Sequence, residues 1–169
     1  SSYFHKSIGG YHGAKPKRLE DLADYHLYRG NLNPLHLLNV KYIISEEEGR
    51  PIVQRNPYVN GNAWFVENVQ IVPDENSELL LLDSLDSRNT ALVHEKFAAE
   101  LSKKNFQRDS SSVIQLVEDS PKYLKYESKT TSEQLAIFSE VYYPEGWNAY
   151  IDGKTTPIYP VDYMLRGLK

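Results

Sequence analysis

Apolar positions in the first third of the chain recur at helical spacing, whereas later ones alternate or run together as in strands. Leu19, Leu22, Ala23 and His26 share one face of a helix predicted over 16–29. Pro16 suits its first position, where a missing N–H costs nothing, and Gly30 suits its end. Asn33-Pro34 starts a second, short helix through Leu38 by the same logic. Val40 to Ile44 is rich in β-branched and aromatic residues and reads as a strand. Glu46-Glu47-Glu48-Gly49 is a charged turn, and Arg50 to Arg55 is a short strand. A longer strand is expected over Ala63–Val72. Asp74 or Asn76 can cap a helix carrying Leu79 to Leu82, followed by a strand over Thr90–His94 and a helix over Glu95–Lys103.

The last third reads as a strand meander. Val113–Val117, Tyr123–Ser128, Gln134–Tyr143, Asn148–Ile151 and Pro157–Leu165 are its five expected strands, and Asp152-Gly153 is a two-residue hairpin turn. Turn signals every 8–12 residues are those of a sandwich. The polar, Ser-rich run from Lys104 to Ser112 divides the chain into 1–110, an α+β lead-in of helices and short strands, and 111–169, the β-sandwich meander. The expected fold class is therefore α+β, a helical N-terminal lead-in packed on a mostly antiparallel β-sandwich. A sandwich needs further strands to cover its edge, so the expectation includes truncation at the C-terminal edge and excision from a longer chain. The opening residue, which is not Met, agrees with that expectation.

Composition narrows the chemistry. The 169 residues include no cysteine, which excludes a disulfide framework, a thiol nucleophile and cysteine-ligated metal. Lys and Arg total 19 against 23 Asp and Glu, a net charge of −4, which argues against a nucleic-acid partner. The longest aliphatic run, Leu79 to Leu82, falls far short of the roughly 20 residues of a membrane helix. No basic stretch followed by an apolar segment opens the chain.

Catalytic constellations are missing from the pattern. His5, His12, His26 and His36 show no zinc-ligand spacing and read as separate surface or cap residues, so no metal or other cofactor is expected. Carboxylate pairs such as Asp83 with Asp86 fall at turns and helix starts, where capping explains them. No G-x-S-x-G elbow is present, and no catalytic residue is assigned. Two weaker sites remain. Main-chain N–H groups of the loop Ile8 to Lys15 can cradle an anion, which makes Tyr11, His12 and Lys15 candidates for a phosphate-bearing group. Seven of the thirteen tyrosines lie in 123–169 beside Trp147. Flat aromatic faces with hydroxyls suit sugar rings, so Trp147 and Tyr150 are the candidate sugar face, although core filling is the simpler explanation of aromatics in a thin sandwich.

Four segments carry a family resemblance. Ser2-Tyr3-Phe4-His5-Lys6-Ser7-Ile8-Gly9-Gly10-Tyr11-His12-Gly13-Ala14-Lys15 resembles the start of the large extracytoplasmic region of YfhO-like bacterial membrane proteins. Leu38 to Ile44, Gly61 to Val66 and Gly146 to Gly153 are similar to later segments of that region, in the same order. The resemblance implies a polytopic membrane protein related to lipid-linked-sugar glycosyltransferases. In that class the membrane part holds the polyprenyl-phosphate sugar, and the catalytic carboxylate lies in a loop among membrane helices, so no residue here inherits it. It also implies one or two further strands and a membrane helix after Lys169.

The expected role is a non-catalytic domain on the extracytoplasmic face of the bacterial cell membrane. Its partners would be its own transmembrane region and a cell-envelope glycan or lipid-linked sugar. The alternatives are a purely structural, protein-interaction domain and a free-standing hydrolase.

Overall fold

The computed structural model describes residues 7–8, 16–101, 103–107 and 109–169. The glycine-containing loop with Tyr11, His12 and Lys15 lies outside the described residues. Helix α1 spans Lys17–Tyr25 and continues into a 3-10 turn, Leu27–Arg29, that Gly30 ends at φ 82°, a left-handed conformation open to glycine. Helix α2 is Asn33–Leu37, with Pro34 in its first turn and Leu35 and Leu37 buried. Strands β1 (Tyr42–Glu47) and β2 (Arg50–Arg55) form a hairpin closed by Glu48 and Gly49, both at positive φ. The first expected strand thus runs further than its apolar residues, because Glu47 pairs with Arg50 across the turn.

The long strand expected over 63–72 is two strands. β3 is Ala63–Val66 and β4 is Asn68–Val72. The break has a hydrogen-bonding cause: the amides of Glu67 and Asn68 both donate to the Asn89 carbonyl, and the Glu67 carbonyl accepts from Phe106. Those bonds turn the chain from one sheet into another. α3 (Glu75–Leu81) begins at Asp74, whose carboxylate accepts from the Ser77 amide at 2.7 Å. It connects β4 to β5 (Thr90–His94), and these two strands pair in parallel. A 3-10 turn, Glu95–Phe97, and α4 (Ala98–Leu101) follow.

In the last third, β6 (Val113–Ser120) and β7 (Tyr123–Lys129) form a hairpin bulged between Leu116 and Glu118. β8 is Leu135–Phe138, with all its residues buried. It stops earlier than expected because Ser139 is tied sideways, its hydroxyl lying 2.8 Å from the Leu37 carbonyl and 2.6 Å from the Gly61 carbonyl, with one proton to give to either. β9 (Ala149–Ile151) and β10 (Lys154–Thr156) form a ribbon across the Asp152-Gly153 turn. The single strand expected over 157–165 is instead β11 (Tyr159–Val161) and β12 (Leu165–Leu168), folded back on each other around Asp162, Tyr163 and Met164.

The architecture is α+β with a β-rich, mostly antiparallel body. Its largest sheet has the order β11-β12-β8-β3, so pairing does not follow chain order, and β3 from the first half lies beside β8. One core joins Leu22 and Leu37 of the helices to Val66, Leu92, Ile137 and Leu165 of the sheets. No helix among the described residues is long and apolar enough to cross a membrane.

Candidate functional site

The segment after β8 leaves the core and builds a small open groove against the β9–β10 ribbon. Tyr142, Tyr143, Trp147, Asn148, Thr155 and Thr156 line it, and its volume is about 210 Å³. Several main-chain features hold these side chains in place. The Tyr142 amide donates to the Met164 carbonyl at 2.7 Å, which pins the start of the segment to the β11–β12 turn. At Gly146 an added Cβ would stand 2.9 Å from Cδ1 of Tyr143, so glycine lets that ring fold over the backbone. Asp152 and Gly153 adopt φ of 50° and 77°, the primed turn that matches strand twist and sets the ribbon's register. Thr155 and Thr156 therefore stand opposite Tyr150 and Ala149.

Trp147 is the centre of the groove's support. The Arg166 guanidinium lies 4.4 Å from the centroid of its ring system, and Nε of Arg166 donates to the Val141 carbonyl at 2.9 Å. Arg166 is half buried, and loss of water pushes its pKa below the ordinary arginine value, with Glu140 and Tyr126 opposing that shift. The cation covers one face of the indole and leaves the rest to the groove. None of the lining residues is charged. The groove thus offers ring surfaces, an amide and hydroxyls, and its lining carries no carboxyl, imidazole or amine side chain.

Of the residues singled out from sequence, Trp147 lies in this groove. Tyr150 is on the neighbouring strand, 62% exposed and outside the lining. Tyr11, His12 and Lys15 lie outside the described residues. Tyr142, Tyr143, Asn148 and the two threonines were not anticipated. The run Tyr142-Tyr143-Pro144-Glu145-Gly146-Trp147 carries the signal, since turn residues between aromatics mark a loop, but its first part reads equally as the end of an apolar strand.

The described histidines, His26, His36 and His94, have separate surroundings, and His5 and His12 lie outside the described residues. Among the described residues no group of three or more His, Asp or Glu side chains converges on a metal position. His26 differs from a surface or cap residue: it is 1% exposed, Nε2 donates to the Leu79 carbonyl at 2.7 Å, and Nδ1 accepts from the Asn31 amide at 2.8 Å.

Two carboxyl groups are also buried. Asp162 satisfies part of the outer side of β5 by accepting from the Leu92 amide at 2.7 Å, and Glu78 is buried in α3. Each keeps one oxygen without a hydrogen-bond partner. Burial pushes the Asp162 pKa up to about 8, with the Leu92 hydrogen bond opposing and the Glu78 charge adding to the rise. Burial likewise raises Glu78 to about 7, opposed mainly by Arg18. Both groups sit inside the core rather than facing the groove.

No protein family, curated protein or solved structure matches this chain.

Proposed function

We propose that this chain is a non-catalytic extracytoplasmic domain of a YfhO-like, glycosyltransferase-related membrane protein, and that it orients a neutral glycan segment at the Trp147 groove. The carrying observation is the groove's chemistry: aromatic rings, an amide and two threonine hydroxyls, with no charged lining residue. Aromatic faces pack on the C–H faces of a sugar, while amide and hydroxyl groups exchange hydrogen bonds with its hydroxyls. At about 210 Å³ the groove is smaller than ordinary small-molecule sites of roughly 300–1,000 Å³, which suits one sugar unit of a longer chain. An uncharged lining favours a neutral sugar over the phosphate of a lipid-linked donor. The segment resemblance supports the membrane setting and the division of labour, with chemistry performed elsewhere in the parent protein.

Titration of the folded domain with neutral cell-envelope oligosaccharides, followed by NMR shifts or tryptophan fluorescence, tests the reading. Saturable shifts confined to Trp147 and its neighbours are expected. Silence across a broad panel with a folded sample would sink it.

A second reading, a domain that only packs on protein, is favoured by the exposed apolar side chains of the β1–β2 hairpin. The hydrolase alternative gains no support, because Glu78 and Asp162 are closed off in the core.

A further inference from the structure

The β1–β2 hairpin stands apart from the rest of the fold. Among the described residues β1 pairs with β2 alone. Two-stranded hairpins are marginal in water without a third strand or a packed face. This one nonetheless carries Tyr42, Ile44 and Val53 on a single face, at 61%, 59% and 62% exposure. The register makes them neighbours, since Ile44 is opposite Val53 and Tyr42 is two residues along on the same side. Such a cluster is the kind of surface that natural proteins cover.

The two edges of the hairpin are not equivalent. The turn at Glu48 and Gly49 makes Glu47 and Arg50 the first hydrogen-bonded pair. Alternate pairs then carry the ladder as far as the Asn56 amide, which donates to the Lys41 carbonyl at 2.8 Å. The main-chain groups of Tyr42, Ile44 and Glu46 therefore point away from β2. On the other edge the outward position opposite Glu46 is Pro51, which has no N–H to give. Growth of this sheet meets a missing donor at Pro51 on the β2 edge and an unbroken set of donors and acceptors on the β1 edge.

We infer that a second copy of this chain pairs antiparallel along β1, with a two-fold axis at Ile44, to give a four-stranded sheet β2-β1-β1-β2. Self-complementarity carries the choice of occupant. In this register Ile44 faces Ile44, and Tyr42 faces Glu46 of the other copy. Lys41 then lies directly opposite Glu47 of the other copy, and the reciprocal contact repeats at the far end. That Glu47 already has Arg50 as its cross-strand partner, so each carboxylate sits in a row between two cations. A shift by two residues in either direction loses the Lys41–Glu47 match, so charge fixes the register. The same pairing brings both apolar faces together on one side of the sheet. This inference is independent of the glycan reading.

Sedimentation of the intact chain over concentrations from micromolar to about millimolar tests it, because a single added strand pair makes a small, weak interface. A reversible dimer is expected. Lys41→Glu and Glu47→Lys, both at exposed hairpin positions, should each weaken it about tenfold or more, since either change places like charges opposite each other twice. An equimolar mixture of the two variants should recover most of the lost affinity as a heterodimer, and so should K41E/E47K in one chain, each short of wild type because E47K also sets a cation opposite Arg50 in its own hairpin. Ile44→Pro, which removes an N–H that the hairpin itself does not use, should leave far-UV circular dichroism unchanged and abolish dimerisation. A wild-type chain that stays monomeric through this range overturns the inference. A dimer indifferent to both charge reversals also overturns it, and places the contact elsewhere.

Discussion

Asp162 grips Leu92 by both main-chain groups. Its carboxylate accepts the Leu92 amide at 2.7 Å, and its own amide donates to the Leu92 carbonyl at 2.9 Å. The buried side of β5 is thereby finished by a side chain instead of a strand. The geometry needs a tight reversal after β11, and Asp162 and Tyr163 take positive φ of 49° and 70° to make it. A tyrosine in that conformation is uncommon. It is held from α1, where Asp21 accepts from the Tyr163 hydroxyl at 3.0 Å and the Arg18 guanidinium lies over the ring.

The raised pKa of Asp162 makes stability depend on pH with a definite sign. The folded chain keeps this proton up to about pH 8, whereas the unfolded chain loses it near 3.8. The group's contribution is complete below that lower value, falls as pH rises through the interval, and is lost above the folded pKa. Asp162→Asn keeps an oxygen for Leu92, tolerates the left-handed backbone and cannot ionise. The variant should be more stable than wild type at pH 8 by about 1–3 kcal/mol, and the difference should shrink or reverse towards pH 5. Urea unfolding at both pH values measures it. Asp109 contributes with the opposite sign, because hydrogen bonds from Ser111 and Thr131 hold its pKa well below the carboxylate range. The comparison must therefore be variant against wild type at each pH.

His26 joins α1 to the end of α3 through its two ring nitrogens. His26→Leu preserves bulk but strands the Leu79 carbonyl and one N–H of the Asn31 side-chain amide, whose other N–H keeps Asp83. A loss of about 1–3 kcal/mol is expected from denaturant midpoints at constant m-value. An unchanged midpoint would mean that water replaces both bonds without cost.

Two glycines should respond oppositely to alanine. At Gly167 a Cβ meets Val161 at 3.0 Å inside the central sheet, so Gly167→Ala should cost about 1–3 kcal/mol by overpacking. At Gly146 the obstacle is the exposed Tyr143 ring, which can swing aside. Gly146→Ala should leave the melting temperature near wild type and reshape the groove, read as shifted Tyr143 resonances.

Trp147 separates groove from core. Trp147→Ala should leave the chain folded, because the indole is only partly buried, and weaken the proposed glycan binding about tenfold or more. Trp147→Phe should recover part of that affinity. Unfolding of the alanine variant would reassign Trp147 to the core.

Much of the element order was legible in sequence, for identifiable reasons. α1, α2 and the capped α3 follow from Pro16, Gly30, Pro34 and Asp74, whose effects are local. The hairpin turn at Asp152-Gly153 is equally local. The misread strands, 63–72, 134–143 and 157–165, failed for a shared reason. Glu67-Asn68, Ser139-Glu140 and Asp162 interrupt their apolar patterns only briefly, as outward positions of a strand would, and the breaks there are made by hydrogen bonds to residues distant in sequence. Trp147 was visible as an aromatic beside a turn. Its neighbours Thr155 and Thr156 were not, because ribbon register alone brings them to the groove.

The order β11-β12-β8-β3 also governs how the protein assembles in time. The β4–α3–β5 unit closes over a short stretch of chain and can form early. β3 must wait for β8, and β8 gains its second neighbour only when β12 is present. Until then Trp64, Leu135 and Ile137 have an unfinished sheet around them, and closing so long a loop is entropically slow. The fold's vulnerable moment is therefore the interval in which its most apolar strand has been made and the strand that covers it has not.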